Sequence, residues 1–278
     1  MPRSWIVAVL AAAAACSSDN VGPGRTLESP SSLSSTTLDG AVALVWSDNP
    51  FRSDPDLFQS YAVYSTNYDL DADRCGQTFR LEGTTVAPEF IAGALTNGVP
   101  RCFYVTAVSI DGVESAASPL RNDTPRPDAR NIVLFARQAQ DAESGFRFWQ
   151  DANGNGIAED AELGLVTAGS SLAADFTVER DVSGRLFLTP KRAGVTVALY
   201  GDAPVEDLTS IDIAPETGFD PEGLEALPGW AYVFRIDDGG AFFSYGAVRV
   251  SHVGQGLLIL DWAYQTDPGN PELRRVGR

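Results

Sequence analysis

Apolar and polar residues alternate along much of this chain with a period of two. That spacing sets one face of a strand on a core and the other in water. Val42-Ala43-Leu44-Val45-Trp46 opens the series, and the polar stretch Ser47–Asp56 breaks it. Phe58–Ser65 follows, with Tyr61, Val63 and Ser65 on one face. Thr78–Leu81 and Glu89–Ile91 read as shorter strands. Next, Phe103, Val105 and Ala107 alternate against Cys102, Tyr104 and Thr106. Asp111-Gly112 is a turn signal, and Val113–Pro119 predicts a closing strand. Short strands at this density predict a β-sandwich over 26–124.

A second strand-rich unit is expected over 129–278. Its candidates are Ile132–Ala136, Phe146–Trp149, Phe176–Val178, Leu186–Leu188, Val195–Leu199, Tyr232–Ile236, Ala247–Val253 and Leu257–Tyr264. Asp237-Asp238-Gly239-Gly240 marks a hairpin between aromatic runs. Only Pro221–Leu227 has the makings of a short helix. The expected fold class is therefore all-β, a sandwich followed by a second β-rich domain. Between the two lies Arg121-Asn122-Asp123-Thr124-Pro125-Arg126-Pro127-Asp128. Its two prolines favour extended backbone and deny helix, so 125–128 reads as a linker. Such a semi-rigid joint is expected to hold the second unit at arm's length.

The N-terminus carries a different pattern. Arg3 precedes an unbroken apolar run, Trp5–Ala15, and then Cys16-Ser17-Ser18. The run is far shorter than the ~20 residues that span a bilayer. It has the proportions of a secretory signal. Ala13-Ala14-Ala15-Cys16 resembles a bacterial lipobox, although Ala13 stands where such boxes usually carry Leu. The resemblance implies a leader at 1–16, with Cys16 as lipid acceptor and anchor to the membrane. An ordinary signal peptide cut after Ala13–Ala15 is the alternative. Ser17–Ser35 is rich in Ser, Gly and Pro, which makes 17–25 a flexible tether. Resemblance to lipoproteins with Ser after the Cys implies the outer membrane or cell surface, with the periplasmic side also open. Stable attachment needs more than one acyl chain. An exported chain is expected to oxidise its remaining pair, Cys75 and Cys102. Closing that loop contributes roughly 3–4 kcal/mol in the chain-entropy picture.

Within 26–124 a family resemblance is visible. Trp46, Tyr61-Ala62-Val63-Tyr64, Leu95, Tyr104-Val105-Thr106-Ala107-Val108 and Asp111-Gly112-Val113-Glu114-Ser115 resemble a fibronectin type III domain. Members usually carry a Tyr at the start of the sixth strand, and Arg101 stands there. A Cys75–Cys102 bridge is expected to replace the brace that this Tyr provides. The Arg-Gly-Asp tripeptide of the family's adhesion modules is absent. The resemblance implies a fold and a spacer or binding role, and names no ligand. Trp230–Leu273 resembles the end of haem-binding HmuY-like β-proteins.

Charge narrows the partners. The chain has 20 Lys and Arg against 37 Asp and Glu, a net charge of −17. Nucleic acid is excluded, since its phosphates need basic side chains. One segment carries recognisable chemistry. Asp151-Ala152-Asn153-Gly154-Asn155-Gly156-Ile157 through Glu159 to Glu162 fits the calcium-loop pattern D-x-[DN]-x-[DN]-G-x5-E. Calcium takes about 6–8 hard oxygens. Asp151, Asn153 and Asn155 offer side-chain oxygens, Ile157 its carbonyl, Glu162 a bidentate carboxylate, and Glu159 a contact through water. The flanks alternate like strands, so the loop resembles those of β-rich bacterial surface proteins, where the ion pins a loop. The alternative is an Asn-Gly-rich turn without metal. Two neutral Asn ligands imply weak affinity, on the order of 10⁻⁴–10⁻³ M.

Other signals weigh less. His252 is the single histidine and reads as a solvent-facing strand residue, with too few partners for zinc or haem. Asp237 and Asp238 read as turn residues rather than glycosidase acids. Trp149, Trp230 and Trp262 read as core more than as a sugar platform. The expected function is a non-enzymatic, lipid-anchored envelope protein that binds, adheres or scaffolds, with a protein or glycan partner. Haem or small-ligand capture and a carbohydrate-active role are the alternatives.

Overall fold

The computed structural model describes residues 26–70 and 72–273; Cys16, the leader and the tether at 17–25 lie outside them. The first unit holds β1 (Ser34–Leu38), β2 (Ala41–Val45), β3 (Phe58–Asp69), β4 (Arg74–Cys75), β5 (Arg80–Thr85), β6 (Glu89–Ala92), β7 (Arg101–Ser109) and β8 (Arg121–Asp123). One sheet runs β1-β2-β6, and the other β4-β3-β7-β8 with β5 also on β3. The pairings are antiparallel throughout. Val42, Leu44 and Trp46 face Tyr61, Val63, Phe103, Val105 and Ala107 across the core. These are the apolar positions of the period-two pattern, and the unit is a fibronectin type III-like β-sandwich.

Two elements differ from expectation. Val113–Pro119 forms no strand; Glu114 makes only an isolated bridge to Val108. There the hydroxyls of Ser115 and Ser118 accept from the β7 amides of Ala107 and Val105 at 2.9 and 3.0 Å. Side chains thus take part of the ladder's work. The closing strand is β8, inside the stretch read as a joint. Its neighbour β1 is Ser-Ser-Thr-Thr-Leu and carries no apolar alternation. Its inward Ser35 and Thr37 instead donate to the buried Asp123 carboxylate at 2.5 and 2.7 Å. Burial pushes the Asp123 carboxyl up, against those two hydroxyls and the charges of Arg121 and Arg126.

The joint is not an arm. Thr124, Pro125, Arg126 and Pro127 are all buried. Arg126 N–H donates to Leu38 O at 3.2 Å, and Pro125 O accepts from Gly98 N at 2.8 Å, both in the first unit. Pro127 O accepts from Tyr264 N at 3.1 Å, Thr124 bonds Glu272 at 3.2 Å, and the Arg126 guanidinium donates to Leu273 O. The prolines do keep the backbone extended. Their apolar rings, however, are buried rather than left in water.

The second unit holds β9 (Asp128–Phe135), β10 (Gly145–Trp149), β11 (Leu163–Thr167), β12 (Phe176–Arg180), β13 (Leu186–Pro190), β14 (Val195–Leu199), β15 (Leu224–Glu225), β16 (Ala231–Ile236), β17 (Ser244–Val253) and β18 (Leu257–Gln265). Two five-stranded sheets, β11-β10-β12-β13-β15 and β14-β16-β17-β18-β9, enclose an aromatic core. Phe148, Phe176 and Phe234 meet there, with Phe176 stacked on Phe234 at 4.6 Å. The second sheet is buried on both faces. Tyr232 and Phe234 enter the main core, while Ala231, Val233, Ala247 and Ala263 pack under Leu208, Ile211 and Leu273. Pro221–Leu227 is not a helix. Gly223 sits at φ +94°, outside helical space, and Leu224–Glu225 pair with Phe187 and Leu188 of β13.

The Tyr232 hydroxyl closes the turn before β16. It accepts from Leu227 N at 2.8 Å and donates to Glu225 O at 2.6 Å. Burial is the main cause that pushes this phenol up to about 12. A raised phenol pKa favours the neutral form in the fold. Its contribution is full below the unfolded value of about 10 and is lost as pH rises toward about 12. Tyr232→Phe is expected to cost about 1–2 kcal/mol in denaturant titrations at neutral pH. It should also flatten part of the alkaline loss of stability that the wild type shows.

Candidate functional site

The calcium-type sequence forms the loop of the β10–β11 hairpin. Trp149 pairs with Leu163, and Gln150 N donates to Glu162 O at 2.9 Å, so the loop ends are pinned together. Asp151 organises the turn. Its Oδ1 accepts from Gly154 N at 2.6 Å and Asn155 N at 3.1 Å, and its Oδ2 from Gly156 N at 2.9 Å. Gly154 and Gly156 lie at φ +75° and +72°, a left-handed backbone that suits glycine. Asn153 Oδ1 accepts from Asn155 N, and Asn155 Oδ1 from Ile157 N, at 2.9 and 2.7 Å. Both amide groups donate to the Glu159 carboxylate, at 3.2 and 3.1 Å.

Glu162 enters from the far end of the loop. A short 3-10 turn at Asp160–Glu162 carries it, and its Oε1 accepts from Ala152 N at 2.8 Å. The residue is 5% exposed, and its Oε2 is buried without a hydrogen-bond partner. A buried carboxylate oxygen left this way is costly unless a cation or proton offsets it. The structure thus links Asp151, Asn153, Asn155 and Glu159 directly and folds Glu162 against the same loop, while Ile157 is 62% exposed. Among the described residues, no group of three or more His, Cys, Asp or Glu is arranged to hold a metal ion.

The other predicted residues are equally placed. Cys75 and Cys102 are joined by a disulfide with Cα atoms 5.7 Å apart, tying β4 to β7 across the end of β3. Arg101, in the position that the family gives to Tyr, donates to Asn67 at 2.5 Å and pairs with Glu82 on β5 at 3.5 Å. His252 is exposed on β17. Trp262 is core, and Trp149 and Trp230 pack against that core, so the three form no platform. A feature without a sequence motif is a pair of cavities beside Trp46, Asp48 and Tyr61 in the first unit. Phe51 and Arg52 inside the polar break Ser47–Asp56 were the available signal.

No protein-family model and no curated protein matches the chain. Solved structures show partial likeness. A Fn3-like protein from Clostridium thermocellum is 22% identical over 35% of this chain and 92% of its own, with a TM-score of 0.28. A third fibronectin III domain of a human protein is 20% identical over 39% of this chain and 93% of its own, with a TM-score of 0.31. A DUF4466 family protein from Parabacteroides merdae is 9% identical over 86% of this chain and 99% of its own, with a TM-score of 0.42. These likenesses carry nothing about ligand, activity or partner.

The loop rests on a tight contact. Gly164, at φ +61°, lies under the Trp262 indole, and a Cβ there would overlap the ring. Gly164→Ala is expected to destabilise the chain by about 1–3 kcal/mol. Thermal melting should show the loss, together with a change in tryptophan emission as the indole shifts.

Proposed function

We propose that this chain is an exported, lipid-anchored, non-enzymatic protein of the cell envelope, whose two β units form one binding or scaffold body. The reading rests on the Cys16 leader standing before a body that carries the Cys75–Cys102 disulfide. Disulfides persist in oxidising compartments. No helix among the described residues is long and apolar enough to cross a membrane, and in this reading attachment is through lipid on Cys16. The location is the outer membrane or cell surface, and the partner is an extracellular protein or glycan. The body is thereby held near a membrane by the tether at 17–25, with its surfaces free to meet that partner.

In the same reading the 151–162 loop takes calcium. Asp151, Asn153, Asn155 and Glu162 would supply the oxygens, with Ile157 and Glu159 completing the set. The buried, unpaired Glu162 Oε2 supports this fit. The flanking strands β10 and β11 are already paired. The ion's role is therefore to stiffen a hairpin, without the helix motion of a calcium switch.

Two measurements test these points. Cys16→Ser is expected to release the protein from the membrane fraction; retention there overturns the anchor. Calcium at a few millimolar is expected to raise the melting temperature of the full chain by a few degrees, as a weak site should. Asp151→Ala combined with Glu162→Ala should remove that gain. A wild-type melting curve indifferent to calcium overturns the metal assignment.

A further inference from the structure

A second candidate site lies in the first unit, at the end where β2 leads into β3. Two adjoining solvent-open depressions of about 640 and 440 Å³ share the walls Asp48 and Pro88. The larger is lined by Glu28, Trp46 and Asn49, the smaller by Phe51, Phe58, Tyr61 and Val86. Their size suits a small organic molecule or one to two side chains.

Four aromatic rings run through this corner in unbroken contact. Trp46 meets Tyr61 edge-on at 5.2 Å, Tyr61 meets Phe58 at 4.7 Å, and Phe58 meets Phe51 at 5.6 Å. Phe51 is 47% exposed and Val86 75%, so the apolar wall opens to solvent. At the inner end, Trp46 Nε1 and Tyr61 Oη are buried. Burial raises the Tyr61 phenol, and the Asp48 carboxylate raises it further, so that charge is felt at the ring. A Phe51 backbone group and the Trp46 indole, within hydrogen-bonding reach of the phenol, temper the rise.

Asp48 already takes a cation. The Arg52 guanidinium pairs with it along the short helix Asn49–Ser53, which Asp48 precedes, and the Arg52 side chain is 78% exposed. That arginine is weakly held, because an exposed i,i+4 pair contributes little. Aromatic faces beside a carboxylate attract ammonium and guanidinium groups through both charge and the ring quadrupoles. The chain's net charge of −17 favours the approach of such a cation.

We infer that this corner is a binding site for an organic cation, an ammonium or guanidinium carried on an apolar body, with Asp48 as its counter-ion. Arg52 occupies that counter-ion in the free protein and swings into solvent when the ligand enters. The cation rests against the aromatic wall, and its apolar body covers Phe51 and Val86. The site is separate from the calcium loop and from the anchor, and it stands or falls without either.

The test is calorimetric titration of the full chain with two probes: benzyltrimethylammonium, and an arginine-phenylalanine dipeptide amide. Neopentylbenzene, the neutral counterpart of the first, serves as control. Saturable binding of a charged probe is expected, with Asp48→Asn weakening it about tenfold. Phe51→Ala is expected to weaken binding while leaving the melting temperature near wild type, since that ring is half exposed. Arg52→Ala should tighten binding by removing the internal competitor. Preference for the small cation points to a free amine, and preference for the dipeptide to a basic peptide segment; either supports the site. Absence of binding by both probes, equal binding of the neutral control, or an Asp48→Asn variant that binds like wild type overturns it.

Discussion

Thr124–Pro127 has to satisfy its backbone polar groups inside the protein, and the organisation of the two units depends on how it does so. Buried backbone carbonyls and amides are costly when unpaired. Here Leu38 and Gly98 of one unit and Tyr264 of the other supply the partners. Neither unit alone completes the set. The sandwich and the second β domain are therefore joined by the same hydrogen bonds that keep this strand end folded. Asp123 extends the constraint into β1, whose polar sequence makes sense only as a source of hydroxyls for that carboxylate.

Much of the architecture was legible in the residues. Strands with a clean alternation, such as Val42–Leu44 and Phe103–Ala107, were found where burial confirms them. The pattern failed where polarity, not apolarity, marks the buried face. Ser35 and Thr37 give no strand signal until Asp123 is placed beside them. Thr78–Leu81 began two residues early and stopped four short, because Leu81 is 49% exposed and β5, Arg80–Thr85, continues past it through pairing with β3. Pro221–Leu227 read as helical from local composition, while a two-residue pairing with β13 decides it otherwise. The joint was misjudged for the same reason. Proline fixes local dihedrals, but whether its ring meets water or a neighbour is a tertiary matter.

The sites divide along the same line. The 151–162 loop is contiguous, so its spacing alone pointed to Asp151, Asn153, Asn155 and Glu159, which hydrogen-bond within it. The cavities at Asp48 are assembled from Glu28 ahead of β1, the stretch Trp46–Ser53 after β2, β3 and the β5–β6 turn. No one of those segments carries a motif. A loop that organises itself through Asp151 is readable from one dimension; a corner built from four segments is not.

The bond from the Arg126 guanidinium to the Leu273 carbonyl spans 147 positions of the chain. During vectorial synthesis, the sandwich has all its strands long before that carbonyl emerges. The hinge between the units must then stay open through the whole manufacture of the second one. Only the arrival of the final strand and the few residues after it can latch the nascent protein shut. Until then the joint lacks its partners from the second unit, while the finished molecule is one body.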